Sequence, residues 1–171
     1  MFLGGDKMSK VTWKPGTFLY PLPAVMVSCG DMEKSNIITV AWTGIINTDP
    51  AMVYISVRPS RYSYNMLKER GEFVINLTTK DLAFATDWCG VKTGAKVDKF
   101  SEMHLTKEQG KFVKCPMIKE SPVSVECKVP PKEPPVIIEF ASATIGVTPF
   151  SVLDTILITA ASRGLPSAVT H

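Results

Sequence analysis

The sequence has few histidines, no closely spaced cysteine pair and no long apolar run. His104 and His171 are its only histidines, and its four cysteines, at positions 29, 89, 115 and 127, form no C-x-x-C pair. A zinc site, or a metal site of another kind, is therefore not expected. No stretch approaches the roughly 18 uninterrupted apolar residues that a membrane-spanning helix needs, so we expect no membrane partner.

A strong charge of either sign is also missing. The 19 lysines and arginines and the 16 aspartates and glutamates give a formal net charge of +3. That is too weak to indicate a nucleic-acid partner, but it is compatible with a small anionic ligand. A chain of 171 residues that is 45% hydrophobic and 20% charged is typical of a single globular domain. Four cysteines in such a domain indicate reduced, buried thiols and a cytoplasmic location.

Recognisable catalytic motifs are absent as well. The sequence contains no H-E-x-x-H, no G-x-G-x-x-G and no pair of carboxylates in a catalytic arrangement. Cys89 and His104 lie fifteen positions apart and outside any known nucleophile motif, so a cysteine hydrolase is not expected. No residue is therefore predicted to be catalytic, and an enzyme built from this chain would depend on a cofactor for its chemistry.

Short segments rich in β-branched residues predict a mainly β fold with inserted helices. Strands are predicted at residues 25–29, 36–43, 52–57, 72–77 and 123–129, with the second and third forming an antiparallel pair. Ser60 is predicted to cap a helix that ends at Gly71. A second helix is predicted to begin at Thr79 or Asp81 and to break at Cys89 and Gly90. This order lacks regular βαβ alternation, which favours an antiparallel barrel or sheet.

Residues 56–63 (SVRPSRYS) are the first candidate binding segment, because they lie where a predicted strand leads into a helix. The first turn of a helix offers unpaired N–H groups to an anion. Arg58 and Arg61 add forked donors suited to phosphate, and Ser60 and Ser63 add hydroxyl groups. The alternative is an ordinary capped helix start with solvated arginines.

Two further segments are weaker candidates. In residues 39–44 (TVAWTG), Trp42 would stack on or enclose a planar aromatic ligand, or else be a core tryptophan. The loop that carries Lys92, Gly94, Lys96 and Lys99 would approach a phosphate, although it lacks the ending of a P-loop. The alternative for this loop is a solvated surface segment.

Together these segments resemble the flavin reductase-like, FMN-binding split-barrel proteins, especially those of the flavoredoxin type. The resemblance covers residues 8–129, and the stretches NIITVAWTG, SVRPSRYSY and TGAKVDKF occur in the family's order. It implies a six-stranded antiparallel split β-barrel of the Greek-key type, usually a homodimer with FMN near the subunit interface. It also implies an oxidoreductase that passes electrons from NAD(P)H, the nicotinamide donor, through FMN to an acceptor that the sequence does not identify.

The resemblance also implies three groups of FMN-binding residues. The group that lines the flavin is Thr39, Val40, Ala41, Trp42 and Thr43. The group that holds the ribityl phosphate is Ser56, Arg58, Ser60, Arg61, Tyr62 and Ser63. The group that closes over the cofactor is Cys89, Lys92 and Lys99. Two other functions stay open. The chain would instead be a non-enzymatic FMN carrier reduced by a partner protein, or a defective family member with impaired flavin binding.

The ends of the chain depart from the family's pattern. Residues 1–7 are interpreted as an N-terminal extension, residues 8–129 as the domain and residues 130–171 as a divergent tail. The tail has only five charged residues in 42 and no Ser-His segment, and we assign no role to His171. One hypothesis is a reading-frame change or truncation after about Pro130, so that the tail either completes the barrel or fails to do so. A failure would leave unpaired strand edges that favour aggregation.

Overall fold

The computed structural model describes Leu19, residues 21–129 and the backbone of a strand at residues 156–161. The predicted extension at residues 1–7 and the rest of the 130–171 tail lie outside these described residues. The elements, in chain order, are β1 (Val25–Gly30), β2 (Ser35–Val40), β3 (Thr43–Thr48), β4 (Ala51–Val57), α1 (Ser63–Arg70), β5 (Glu72–Asn76), α2 (Ala83–Val91), α3 (Lys99–Glu102), β6 (Lys107–Glu108), β7 (Met117–Ile118), β8 (Ser124–Lys128) and β9 (Ile156–Ala161). No helix among them is long and apolar enough to cross a membrane.

Seven of the strands form one antiparallel sheet in the order β2-β1-β5-β8-β9-β4-β3. Its two end strands, β2 and β3, are consecutive in the chain and are separated only by Ala41 and Trp42. At this corner the Ser56 N–H donates to the Trp42 carbonyl at 2.8 Å. The chain itself therefore joins the two ends of the sheet into a barrel, and the predicted antiparallel split barrel with inserted helices is confirmed.

Burial of β1 on both of its faces shows where the core lies. Successive side chains of a strand point to opposite faces of the sheet, and β1 is buried throughout. Val25 and Val27 pack with Phe73 of β5 and Leu67 of α1 in one cluster. Met26, on the opposite face of β1, packs in a second cluster together with residues of α2 and α3. The helices α2 and α3 thus cover the outer face of β1 and β2, beside the corner at Trp42.

The first helix ends as predicted but begins later than predicted. Ser60 lies in a turn, α1 begins at Ser63, and the residue at its N-cap is Tyr62, which makes no side-chain capping bond. The helix ends at Gly71, whose φ of 61° is a conformation that glycine adopts without strain. The predicted capping role of Ser60 is therefore wrong, because the turn after β4 uses two more residues, Arg61 and Tyr62, before the helix starts.

The second helix continues through the predicted break. α2 includes Cys89 and Gly90 and ends at Val91, and neither Thr79 nor Asp81 caps it through a side chain. The Thr39 side chain lies against Gly90, and a Cβ on Gly90 would sit only 3.2 Å from the Thr39 Cβ. The glycine therefore allows close packing of α2 on β2, where the sequence suggested a helix end.

The predicted strand at residues 36–43 is divided in two. Val40 pairs with Val25 of β1, whereas Thr43 pairs with Ile55 of β4. The antiparallel partner of the 52–57 strand is therefore β3, and β2 belongs to the other end of the sheet. The backbone of β9 pairs with β4 along its length and meets β8 at Lys128, so it occupies the position between them.

Candidate functional site

A cavity of about 380 Å³ opens where β2, β4 and α2 converge. This volume lies within the roughly 300–1,000 Å³ of small-molecule sites. It is lined by Ile38, Thr39, Val40, Ala41, Trp42, Ser56, Val57, Arg58, Arg61, Thr86, Asp87, Gly90 and Val91. The fold thus brings together parts of two predicted segments, which are separated by about fifteen residues in the sequence.

The corner between β2 and β3 shapes one side of the cavity. Pairing of β2 with β1 stops at Val40, and the Thr39 hydroxyl donates to the Thr86 carbonyl of α2 at 2.5 Å. Beyond this point Trp42 is 50% exposed at the cavity, so it is not a core tryptophan. Thr43 does not line the cavity; its hydroxyl donates to the Tyr54 carbonyl at 2.7 Å. The corner therefore offers backbone groups and one indole face to a ligand.

Two arginines also line the cavity. Arg58 follows β4 and Arg61 precedes α1, in a turn held by the Arg61 N–H donating to the Arg58 carbonyl at 3.0 Å. Both are exposed, and neither forms a salt bridge within the part of the chain that the structure describes. Asp87 is the single acidic residue of the lining. Two guanidinium groups against one carboxylate favour an anionic ligand at this side.

Ser63 faces inward rather than toward solvent. It is buried, and its hydroxyl accepts a hydrogen bond from the Asn36 side-chain amide at 2.7 Å. Ser60 and Tyr62 lie in the exposed turn before α1, outside the cavity lining. Of the hydroxyl groups predicted in this segment, the lining includes only that of Ser56.

The glycine-containing loop reaches the same region through Asn36. A Cβ on Gly94 would lie only 2.1 Å from the Asn36 Oδ1, so the loop backbone is pressed against this buried amide. Because Asn36 also holds Ser63, it connects the loop to the start of α1. Lys92 of this loop is exposed and is not part of the lining.

Lys99 and Cys89 also lie outside the cavity lining. Lys99 is 4% exposed, and its ammonium group donates to the carbonyls of Ile37 at 2.7 Å and Cys89 at 2.6 Å. Burial lowers the pKa of Lys99. Burial also raises the pKa of the Cys89 thiol to about 11, which keeps it protonated and a weak nucleophile. The structure therefore gives Lys99 backbone carbonyls as partners where the sequence suggested a phosphate.

Sequence patterns did not point to the side of the cavity formed by α2 or to Asn36. Thr86, Asp87, Gly90 and Val91 are spaced so that they share one face of a helix, but the predicted break at Cys89 hid this face. Asn36 carried a weaker signal, since it is a polar residue at the start of an otherwise apolar strand.

Comparison with known proteins places these features in a family. The model of the flavin reductase like domain matches residues 17–144 of the chain. An uncharacterized protein of Archaeoglobus fulgidus is 35% identical over 112 residues, which are 66% of this chain and 63% of that protein. An uncharacterized protein of Pyrococcus abyssi is 30% identical over 111 residues, which are 65% and 63% of the two chains. The chain thus spans about 63% of the length of these relatives.

Solved structures agree with the fold. The flavoredoxin of Desulfovibrio vulgaris (Miyazaki F) is 31% identical, with a TM-score of 0.67 over 71% of this chain and 67% of that one. An FMN-binding protein from Thermus thermophilus is 17% identical and shares the fold, with a TM-score of 0.67 over 93% and 79% of the two chains. Because the family model matches most of its residues, this chain belongs to the flavin reductase-like family.

Proposed function

We propose that this chain binds FMN in the cavity between β2, β4 and α2. The observation that carries the proposal is the pair of arginines, Arg58 and Arg61, without described salt-bridge partners at the side of a cavity that also contains Trp42. A phosphate monoester carries a charge between −1 and −2 at neutral pH and is suited to forked guanidinium donors. The flavin-reductase-like family and the 31% identical flavoredoxin support FMN as the ligand.

The proposed roles follow the positions of the three segments. The corner at residues 39–43 would face the ring system, with Trp42 enclosing it. Residues 56–63 would hold the phosphate, chiefly through Arg58 and Arg61. The loop around Gly94 would stay close to the phosphate through Asn36 and Ser63. Lys92 would reach the ligand only from the exposed side of this loop.

Bound FMN would supply the electron-transfer chemistry, since the cavity residues offer little acid or base of their own. The chain's own task is to position the cofactor. Thr39 is held by the Thr86 carbonyl, and Gly90 lets α2 approach β2 closely. We propose an oxidoreductase in which electrons pass from NAD(P)H through FMN to an acceptor. A carrier reduced by a partner protein is the alternative, favoured by the absence of a dinucleotide-binding motif.

We further propose that two copies of the chain assemble beside this cavity. β3 stands at the end of the sheet, directly after Trp42, and exposes Ile45 by 78% and Ile46 by 40%. An apolar end strand is a surface that a second copy would cover.

We also propose that the domain at residues 8–129 is completed by the tail through β9. The protein would work in the cytoplasm, where its four free, buried cysteines would stay reduced.

The experiment is an FMN titration of the purified protein, followed by flavin fluorescence. A charge-assisted hydrogen bond contributes about 1.5–3 kcal/mol, so Arg58→Ala or Arg61→Ala should weaken binding roughly 10- to 100-fold without unfolding the protein. Lys68→Ala removes an exposed cation further along α1 and should bind FMN like the wild type. A folded wild-type protein that leaves FMN fluorescence unquenched would refute the proposal.

A second step separates enzyme from carrier. NADH or NADPH is added to the FMN-loaded protein without oxygen, and the flavin absorbance is recorded. Bleaching of the flavin together with consumption of the nucleotide supports the reductase. FMN that stays oxidised with both nucleotides supports the carrier.

A further inference from the structure

Lys99 connects two elements that form the cavity. Its backbone is held at the start of α3, where the Asp98 carboxylate accepts hydrogen bonds from the N–H groups of Phe100 and Ser101 at 3.0 and 3.4 Å. Its side chain then runs inward and ends between β2 and α2, with hydrogen bonds of 2.7 Å to the Ile37 carbonyl and 2.6 Å to the Cys89 carbonyl.

The two carbonyls belong to elements that end there: Ile37 lies in an end strand of the sheet and Cys89 in the last turn of a helix. β2 is an end strand of the sheet, and an end strand presents a row of unpaired carbonyls. Cys89 lies in the last turn of α2, where the final four carbonyls have no intrahelical partner and the helix dipole favours a cation. The buried ammonium group of Lys99 therefore donates to one carbonyl of each element, and these hydrogen bonds offset the cost of removing its charge from water.

The residues that follow these two carbonyls belong to the cavity. Ile38 comes directly after Ile37, Gly90 comes directly after Cys89, and both line the cavity. A change in the distance between the two carbonyls would therefore move two sides of the cavity relative to each other. A second bond joins the same two elements, since the Thr39 hydroxyl of β2 donates to the Thr86 carbonyl of α2 at 2.5 Å, but Lys99 alone among the described side chains bonds to the last turn of α2 and to β2.

We propose that Lys99 is a positioning residue that sets the spacing of β2 and the last turn of α2, and through it the shape of the flavin cavity. It acts from behind the cavity and does not contact the phosphate. The inference rests on the proposed function for the identity of the ligand, whereas the connection between β2 and α2 is a property of the free protein.

The test compares Lys99→Met with the wild type and with Ile118→Val. Methionine keeps an unbranched chain but cannot donate to either carbonyl. Ile118 lies in the same core cluster as Cys89 and does not line the cavity, so its shortening serves as a control for lost stability alone. FMN affinity and the visible circular dichroism of the bound flavin are measured well below the melting temperature of each variant.

Lys99→Met should bind FMN at least tenfold more weakly and should change the dichroism of the flavin that remains bound. Ile118→Val should leave both unchanged. The proposal is overturned if Lys99→Met matches the wild type, or if Ile118→Val loses the same affinity. Lys99→Arg keeps the charge and the donors, so it should bind FMN more tightly than Lys99→Met. Should methionine prevent folding, the shorter and neutral Lys99→Gln takes its place in the same comparison.

Hydrogen exchange of the free protein separates this inference from the proposed function. Lys99→Met should raise exchange of the amides at residues 37–42 and 88–92, with the α1 amides unchanged as an internal reference. Unchanged exchange in both segments would contradict the positioning role even if FMN binds. If Lys99→Met shows the exchange effect but the wild-type protein binds no FMN, the choice of ligand is contradicted instead.

Discussion

Replacing Gly94 by alanine should weaken FMN binding through a residue that does not line the cavity. The new Cβ would lie 2.1 Å from the Oδ1 and 2.5 Å from the Cγ of Asn36. Asn36 is 3% exposed, and its amide donates to the Ser63 hydroxyl at the first residue of α1. To restore van der Waals separation, the Asn36 side chain or the loop must move by more than about 1 Å, which is enough to break that bond.

The magnitude follows from the hydrogen bond. A buried amide left without its partner costs about 1–3 kcal/mol, and for a chain of this length that corresponds to a fall in melting temperature of roughly 2–10 °C. Displacement of the loop and of the α1 start should weaken FMN binding about tenfold, equivalent to about 1.4 kcal/mol. Ala95→Ser, at the exposed neighbouring position, should change neither quantity.

A double-mutant cycle tests the mechanism directly. Asn36→Ala removes the atoms that the new Cβ would meet, so Gly94→Ala should add little further loss in that background. Melting temperature and FMN titration are measured for both single variants, the double variant and the wild type. Additive losses, or a Gly94→Ala protein that binds and melts like the wild type, would refute the proposed contact between the loop and Asn36.

Two further predictions concern the assembly and the thiols. Ile45→Asp should convert the proposed dimer to a monomer in light scattering while preserving the circular dichroism of the fold; a wild-type protein that is already monomeric would contradict the proposal. Burial raises the pKa of Cys29 to about 11 and that of Cys115 to about 12, so a thiol reagent at pH 8 should label these residues only after urea is added. Since the folded pKa values exceed the unfolded one, these thiols stabilise the protein below pH 9, and this contribution should be lost as the pH rises through 11 to 12. The pKa of Lys99 is lowered from its ordinary value of 10.5, so Lys99 makes the free energy of unfolding rise with pH only below that value. A urea midpoint that does not fall above pH 10.5 would therefore contradict the raised pKa values of the thiols.

Local signals in the sequence were sufficient for much of the fold. β-branched runs predicted β1, β4, β5 and β8 to within one or two residues, because strand formation there follows side-chain type and burial. Gly71 ended α1 as predicted, because a left-handed residue at a helix end is a local requirement. The two arginines at positions 58 and 61 were likewise recognised from the sequence alone as groups suited to an anion.

Other features depend on contacts between distant segments. The break of the 36–43 strand at Ala41 and Trp42 arises because its two halves pair with different strands, β1 and β4. The place of Gly90 inside α2 reflects Thr39, about fifty residues earlier, whose Cβ would lie 3.2 Å from a Cβ on Gly90 and leaves little room for a side chain. A prediction from the local sequence of either segment alone does not include these distant partners.

The sequence alone thus determined the fold class, most strand positions and the residue types available for an anionic ligand, because each of these depends on composition and short-range pattern. Only the tertiary structure decided which residues meet. It placed Arg58, Arg61 and Trp42 around one cavity, and it gave the Lys99 ammonium group two backbone carbonyls as partners. The physical reason is that an end strand and a helix terminus leave carbonyls whose partners must come from elsewhere in the chain, and only the packed fold shows which side chain supplies them.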